Sequence, residues 1–433
     1  MSFDIQTLSL SEICTDISYG YTASANTEIV GPKFLRITDI QGGVVDWDTV
    51  PYCEIPESKL NKNLLSQGDI VVARTGNSTG ENYMFSGDEP SVFASYLIRF
   101  KVDSNIANPH YVWLQMRTKR WWDFVSGAKS GSAQAGANAT VLGKFEVTLP
   151  PKNVQDYVVD IISCLSSKIS LNTSTNQTLE EMAQAIFKSW FVDFDPVKAK
   201  MNGEQPEGMD VATASLFPEK LVESELGLIP EGWAIKPIKD LCTKVQNGGT
   251  PKRNEKSYWD DGTIPWLTSG EVRQSIITAV ENRITQLGLD KSSAKWVPEL
   301  STLVALYGAT AGEVSLTSIP LTTNQAVCAL MPKKEHQWYN YLQLKNRVAE
   351  LAGKAVGSAQ QNISKGLVES TEVLSVPESL LEAFNSQVEN LFRLRICNLN
   401  ENVELAKLRD TLLPKLLSGE IELGQAQELA EVE

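Results

Sequence analysis

Two stretches of the chain carry apolar residues at steps of three and four. After Pro150-Pro151 they fall at Val154, Val158, Ile161 and Leu165, and resume at Leu179, Met182, Ile186 and Trp190. After Pro377 they fall at Leu381, Phe384, Val388 and Leu391, then at Leu405, Leu408 and Leu412. This is coiled-coil spacing, and a proline heading each run suits a first helical turn. The pattern predicts a central helix over 151–191 and a distal helix over 378–418, natural partners for an antiparallel pair. Elsewhere the apolar runs are short and broken. Residues 91–102 are β-rich, carrying Val, Phe, Tyr, Leu and Ile between short breaks, and 303–306 and 326–330 read as buried strands. Clusters such as Gln246-Asn247-Gly248-Gly249-Thr250-Pro251 read as loops, and helical patches are expected near 111–120 and 339–351. Residues 192–230, punctuated by Pro196, Gly203, Pro206, Gly208 and Pro218, read as a connector, and 419–433 as an acidic tail.

The pattern occurs twice. Leu10-Ser11-Glu12-Ile13-Cys14-Thr15 returns as Ile238-Lys239-Asp240-Leu241-Cys242-Thr243, and Gly20 and Thr22 match Gly248 and Thr250. The run from Val71 to Glu81 matches the run from Leu303 to Glu313, and Gly131-Ser132-Ala133-Gln134 returns as Gly357-Ser358-Ala359-Gln360. The offsets stay between 226 and 232 and the order is kept, so a unit of about 230 residues is duplicated. The expected architecture is α+β: two tandem β-rich domains, 1–150 and 231–377, separated by a pair of long antiparallel coiled-coil helices, with pseudo-twofold symmetry from the duplication.

The formal charge of −14 argues against a naked nucleic-acid binder until its distribution is considered. Residues 231–377 hold 16 basic and 14 acidic side chains, and 1–150 hold 12 and 16. The acidity sits instead in 151–230, with 6 basic and 12 acidic residues, and in 378–433, with 5 and 11. No apolar run approaches the ~20 residues of a membrane span. Asp4 and the absence of a basic segment near Met1 suggest no signal peptide. Six scattered cysteines then read as reduced thiols in a cytoplasm. Two histidines make a His-rich metal site or a His-based triad improbable. Gly308-Ala309-Thr310-Ala311-Gly312-Glu313 resembles a phosphate loop but lacks its Lys-Ser/Thr. No nucleophile elbow, nucleotide fingerprint or amino-methyltransferase tetrapeptide is present. Cys14 and Cys242 are repeat-equivalent, and their apolar neighbours favour structural thiols.

Polar loops beside aromatics are the better candidates. The first unit offers Tyr19, Tyr21, Thr22, Arg36, Thr38, Arg74, Thr75, Asn77, Ser78 and Thr79. The second offers Gln246, Asn247, Thr250, Lys252, Arg253, Thr268, Ser269, Tyr307, Thr310, Gln360, Gln361 and Asn362. Arg, Lys, Asn and Gln read base edges, while Thr, Ser and Tyr hold phosphates. The same residue types also populate turns. Two other readings stand beside this one. A two-domain interaction or carbohydrate-binding protein would explain the duplication, and a fused methyltransferase or nuclease would need cofactor or metal motifs that the chain lacks.

Several segments resemble the specificity subunits of type I restriction–modification enzymes. Ile229-Pro230-Glu231-Gly232-Trp233 resembles the approach to a second target-recognition domain. Asn247-Gly248-Gly249-Thr250-Pro251 with Ile264-Pro265-Trp266-Leu267 resembles its opening, and Gly357-Ser358-Ala359-Gln360-Gln361-Asn362-Ile363 its closing loop. The stretch from Gln177 to Ala183, running to Trp190-Phe191, resembles the central conserved region, and that from Leu408 to Glu420 the distal one. The resemblance implies that each β-rich domain reads one half of a split double-stranded DNA site and that the helices set the gap. It implies two methyltransferase subunits docked on the helical regions, at positions such as Leu179, Met182, Ile186, Trp190, Leu408, Leu412 and Leu416. Two restriction subunits would complete the complex. S-adenosylmethionine, ATP and Mg2+ would be used by those partners and none bound by this non-catalytic chain.

Overall fold

The structure, a computed structural model, describes residues 5–129, 137–225, 227–354 and 362–420. It divides into two compact units, Met1–Lys168 with Glu404–Glu433, and Ile169–Val403. In the first, Cys14–Tyr19, Leu97–Val102, Ile70–Ala73 and Asn82–Met84 lie side by side, in that order, in an antiparallel sheet. All four residues of Ile70–Ala73 are buried, which is why the strand reads as an unbroken apolar run rather than an alternation. Gln6–Ser9 pairs with Glu146–Leu149, and Lys33–Leu35 runs parallel to Ser91–Phe93. The β-rich stretch over 91–102 is thus two strands, with its break at Ala94-Ser95-Tyr96. The core gathers Leu10, Ile13, Phe100, Trp121 and Phe145 with Val158 and Ile162 of the central helix and Leu412 and Leu416 of the distal one.

The second unit repeats this order. Cys242–Asn247, Val327–Pro332, Thr302–Ala305 and Val314–Thr317 form the sheet, with Ile276–Ile277 added in parallel at its edge. Ala234–Pro237 pairs with Glu372–Ser375, and Ile264–Leu267 runs parallel to Leu321–Thr323. The likeness extends to single bonds. The ladder slips between Cys14 and Asp16 in one unit and between Cys242 and Lys244 in the other. Ala73 N donates to Glu81 O at 2.8 Å, as Ala305 N does to Glu313 O at 3.0 Å. Both units also need a glycine at one close approach. A Cβ on Gly20 would lie 2.2 Å from Phe93 O, and one on Gly248 would lie 1.9 Å from Thr323 O.

Lys152–Phe191 and Glu378–Ser418 are continuous helices. Within the second unit they run antiparallel. Asn172 Nδ2 donates to Glu401 Oε2 (2.6 Å) and Asn402 Oδ1 (2.9 Å), Asn398 Nδ2 to Asn176 Oδ1 (2.9 Å), and Arg395 to Glu180 Oε2 (2.5 Å). The apolar steps along the chain lapse between Leu165 and Leu179, and buried amides occupy that lapse. Asn172 and Asn176 bond to polar groups of the facing helix, so each is tolerated where an unpaired amide would not be.

The connector is more than a linker. It forms two short helices, Asp195–Met201 and Val211–Ser215, then a hairpin of Leu221–Ser224 with Gly227–Pro230. The cause is aromatic burial. Phe217 packs edge-on to Trp190 with centroids 5.1 Å apart, and Val197 and Trp233 join the same core.

Candidate functional site

In the first unit the strand Ile70–Ala73 delivers Arg74 at its end. Arg74 Nε donates to Ser95 O at 3.1 Å, and its guanidinium lies 5.0 Å from the Tyr19 ring and 5.7 Å from that of Tyr96. Both tyrosines are exposed. Tyr19 Oη accepts from Ala139 N at 3.1 Å. Tyr21, Thr22, Arg36 and Thr38 line, with Ser95 and Tyr96, a cavity of about 340 Å3. Arg36 is committed: its Nε and Nη2 donate to the two carboxylate oxygens of Asp39 at 3.0 and 2.7 Å. That carboxylate raises the pKa of the Arg36 guanidinium. Thr38 Oγ1 donates to the same carboxylate at 3.1 Å. Asn77 is exposed, Thr75 and Ser78 are half-buried, and Ser78 Oγ accepts from Gln41 Nε2 at 3.0 Å.

In the second unit Thr250 Oγ1 donates to Gln325 Oε1 at 2.5 Å, and Asn247 Nδ2 reaches Gln325 O at 3.5 Å. Lys252 is exposed. The Arg253 guanidinium covers Trp259 at 4.3 Å and Trp266 at 4.7 Å, two rings perpendicular to one another. Trp266 Nε1 is tied to Gly249 O at 2.9 Å, so the arginine rests on a fixed platform. Tyr307 is exposed and pairs by a backbone bridge with exposed Asn362. Gln360 and Gln361 lie outside the described residues.

Several candidates are corrected by their surroundings. Thr79 and Thr310 are buried, each with its hydroxyl on a carbonyl of its own turn, Gly76 O at 2.8 Å and Tyr307 O at 3.3 Å. Both hydroxyls are spent inside the turn. Thr268 closes a capping box with Glu271, while Ser269 stays half-buried at the head of that short helix. Gln246 is buried, donating to Trp296 O at 2.8 Å. The docking positions are corrected too. Leu179, Trp190, Leu412 and Leu416 are buried in their own units, and Ile186 and Leu408 pack partly buried against the same cores. Apolar steps of three and four mark the face a helix buries, so they find its own core first. Met182 alone of the seven is exposed, at 48%.

The sequence pattern missed Tyr96, Gln325 and Trp259. Tyr96 was concealed inside an apolar run, and only the break after Phe93 turns it outward. Burial pushes the Cys14 and Cys242 thiols up to about 12, as structural cysteines require. Among the described residues no cluster of His, Cys, Asp or Glu could hold a metal ion, and no helix is long and apolar enough to cross a membrane.

Comparison with known proteins places these features. The family described as the type I restriction modification DNA specificity domain matches residues 4–181 and 230–380. The type I restriction enzyme HindI specificity subunit of Haemophilus influenzae is 28% identical, over 96% of this chain and all of its own. The MjaIX specificity subunit of Methanocaldococcus jannaschii is 24% identical, over 73% of this chain and 69% of its own. The crystal structure of an S subunit of a type I restriction–modification system from M. genitalium superposes with a TM-score of 0.61 at 13% identity, covering 96% of each chain.

Proposed function

Because the chain belongs to the type I restriction modification DNA specificity family, we propose that its two β-rich domains, 1–150 and 231–377, each read one block of a bipartite double-stranded DNA site. The helices 151–191 and 378–418 set the gap and dock two methyltransferase subunits. The segment 192–230 connects the units, and 419–433 is an acidic tail. This chain binds and does not catalyse. S-adenosylmethionine, ATP and Mg2+ serve the partner subunits, two restriction subunits complete the cleaving complex, and the assembly works in the cytoplasm.

The observation that carries this reading is one scaffold used twice with unlike loops. Strand order, ladder slip and turn bonds repeat, while the outward side chains differ: Tyr19, Arg74 and Tyr96 in one unit, Lys252, Arg253 and Tyr307 in the other. Repeated scaffolds with divergent loops suit two half-sites of different sequence; half-sites about one helical turn apart present the same face of the duplex. The DNA-contacting set is Tyr19, Tyr21, Thr22, Arg74, Thr75, Asn77, Asn247, Thr250, Lys252, Arg253, Tyr307 and Asn362, together with Gln360 and Gln361. Arg36, Thr38, Ser78 and Ser269 contribute only by shaping these loops. The docking face moves to the exposed apolar residues of the helices. Leu171 and Met182 lie roughly three turns apart on one side of the central helix, and Leu394 is exposed on the distal one.

The test is a methylome. The chain is expressed with its cognate methyltransferase subunit in a host free of other methylation, and the modified adenines are sequenced. Two short blocks around an unspecified gap are expected. Exchange of residues 231–377 for another second domain should change one block only. A stable complex that methylates nothing above background refutes the reading.

A further inference from the structure

Six arginines belong to the first unit: Arg36, Arg74, Arg99, Arg117, Arg120 and Arg409. Arg36, Arg99, Arg120 and Arg409 each have a carboxylate within 4.0 Å. Arg117 donates to Gly42 O and lies against the Trp113 ring. Arg74 shares with Arg117 the lack of a carboxylate, but Arg117 spends a terminal nitrogen, Nη2, on its carbonyl, whereas Arg74 spends Nε. Among the described residues no carboxylate pairs with it, and its one side-chain hydrogen bond runs from Nε to Ser95 O. With Nε fixed and tyrosine rings at 5.0 and 5.7 Å, the stem and plane are set before any ligand arrives. Among the described residues nothing takes the two terminal nitrogens of the fork.

The duplicate shows that the scaffold does not require this arginine. Arg74 N donates to Tyr96 O at 3.1 Å, and Leu306 N to Ala326 O at 2.8 Å, on the same rung of the two ladders. Buried Leu306 therefore stands where Arg74 stands, and Ala326 where Tyr96 stands. Asn247 occupies the strand end held in the first unit by Tyr19. All three members of the stack change together. The second unit builds an arginine–aromatic stack elsewhere, with Arg253 on Trp259 and Trp266.

A residue that the fold can omit, yet whose plane three neighbours fix, is suited to readout. A phosphate is held by a lysine's point charge as well as by an arginine's fork, so Arg74→Lys separates phosphate contact from base readout. A planar fork presented end-on matches the O6 and N7 acceptors of guanine in the major groove, and pre-ordering lowers the entropy lost on binding. We propose that Arg74, held by Tyr19, Ser95 and Tyr96, reads a guanine in the DNA block assigned to the first domain. This rests on the bipartite-recognition reading above.

The experiment uses the full chain in complex with its cognate methyltransferase subunit. The wild-type methylome gives the motif, and exchange of residues 1–150 identifies the first domain's block. Duplexes then carry 7-deazaguanine, which lacks N7, at each guanine of that block in turn. The wild-type complex should lose affinity about 5- to 150-fold at one position, the span expected of a single bidentate contact. Arg74→Leu places in the first unit the residue that the second already carries. It should bind guanine and 7-deazaguanine alike there, and its methylome should relax at that base with the second block unchanged. Arg74→Lys, which keeps the charge and stem, should relax the same base, and Tyr96→Ala should blunt the preference without abolishing it. A first block without guanine on either strand overturns the assignment. So does a retained guanine preference in Arg74→Lys, or an affinity loss in Arg74→Leu that is uniform over all sequences. A wild-type methylome with no bipartite motif refutes the broader reading instead.

Discussion

Removing Glu180 should unfold the second unit more readily than removing its partner. Arg395 is 3% exposed, donates to Glu180 Oε2 at 2.5 Å and to Ser275 Oγ at 3.0 Å, and sits 5.5 Å from the Phe392 ring. A guanidinium cannot shed its proton at accessible pH. Glu180→Ala therefore leaves a buried, uncompensated cation, a situation that costs about 3–5 kcal/mol. The Glu180 side chain is 19% exposed, so in Arg395→Met its carboxylate keeps contact with water and the loss is smaller. The double variant Glu180→Ala/Arg395→Met removes both charges and should lie within about 1–2 kcal/mol of the parent, since apolar replacement of a buried pair is often neutral. The assay is urea unfolding of the four proteins followed by tryptophan fluorescence; Trp338, stacked on Phe392 at 4.6 Å, reports beside the site. A cost for Glu180→Ala below about 1 kcal/mol, or a double variant as unstable as the sum of the singles, would refute the account.

Other outcomes follow from single contacts. Gly248→Ala forces a Cβ to within 1.9 Å of Thr323 O and should destabilise by at least the roughly 1–3 kcal/mol of overpacking, read as a drop in the urea midpoint. Gly20→Ala should act likewise through Phe93 O. Trp190→Ala empties a site walled by Phe191, Phe217 and Phe384 and should cost about 3–5 kcal/mol, whereas Met182→Asp on the exposed face should cost under about 0.5 kcal/mol yet weaken capture of the methyltransferase subunit in pull-down. The half-buried thiols Cys14 and Cys242 and the buried Cys328, each raised to about 12, keep their protons in the native chain where an unfolded chain loses them. Their contribution to stability is full below about 9 and declines as pH rises toward 12, so the urea midpoint should fall over that window. At pH 8 maleimide should label exposed Cys164 and Cys397 while these three resist.

Much of the fold was legible because periodicity and repetition act along the chain. Steps of three and four between prolines mark two helices, and collinear matches mark the duplication, without knowledge of any contact. What stayed hidden depends on contacts distant in sequence. Asn172 and Asn176 fall where the apolar steps lapse, and only the facing Glu401, Asn402 and Asn398 explain their burial. Phe194, Phe217 and Trp233 look like scattered aromatics in a proline-rich connector until Trp190 and Phe191 gather them.

The candidate site divides along the same line. Residue type finds polar loops but cannot say which side chains are already engaged. Thr79 and Thr310 had the composition of a contact and turned out to be turn supports, whereas Tyr96 lay in an apolar run and turned out to face outward. Duplication supplies the missing criterion. A position that keeps its bonds in both copies, such as the Gly20 and Gly248 close approach, serves the scaffold. A position that changes in one copy together with its neighbours, as Arg74, Tyr19 and Tyr96 do against Leu306, Asn247 and Ala326, is free of that duty. On the proposed reading of two different blocks with one fold, the set that varies as a group is where the difference in readout resides.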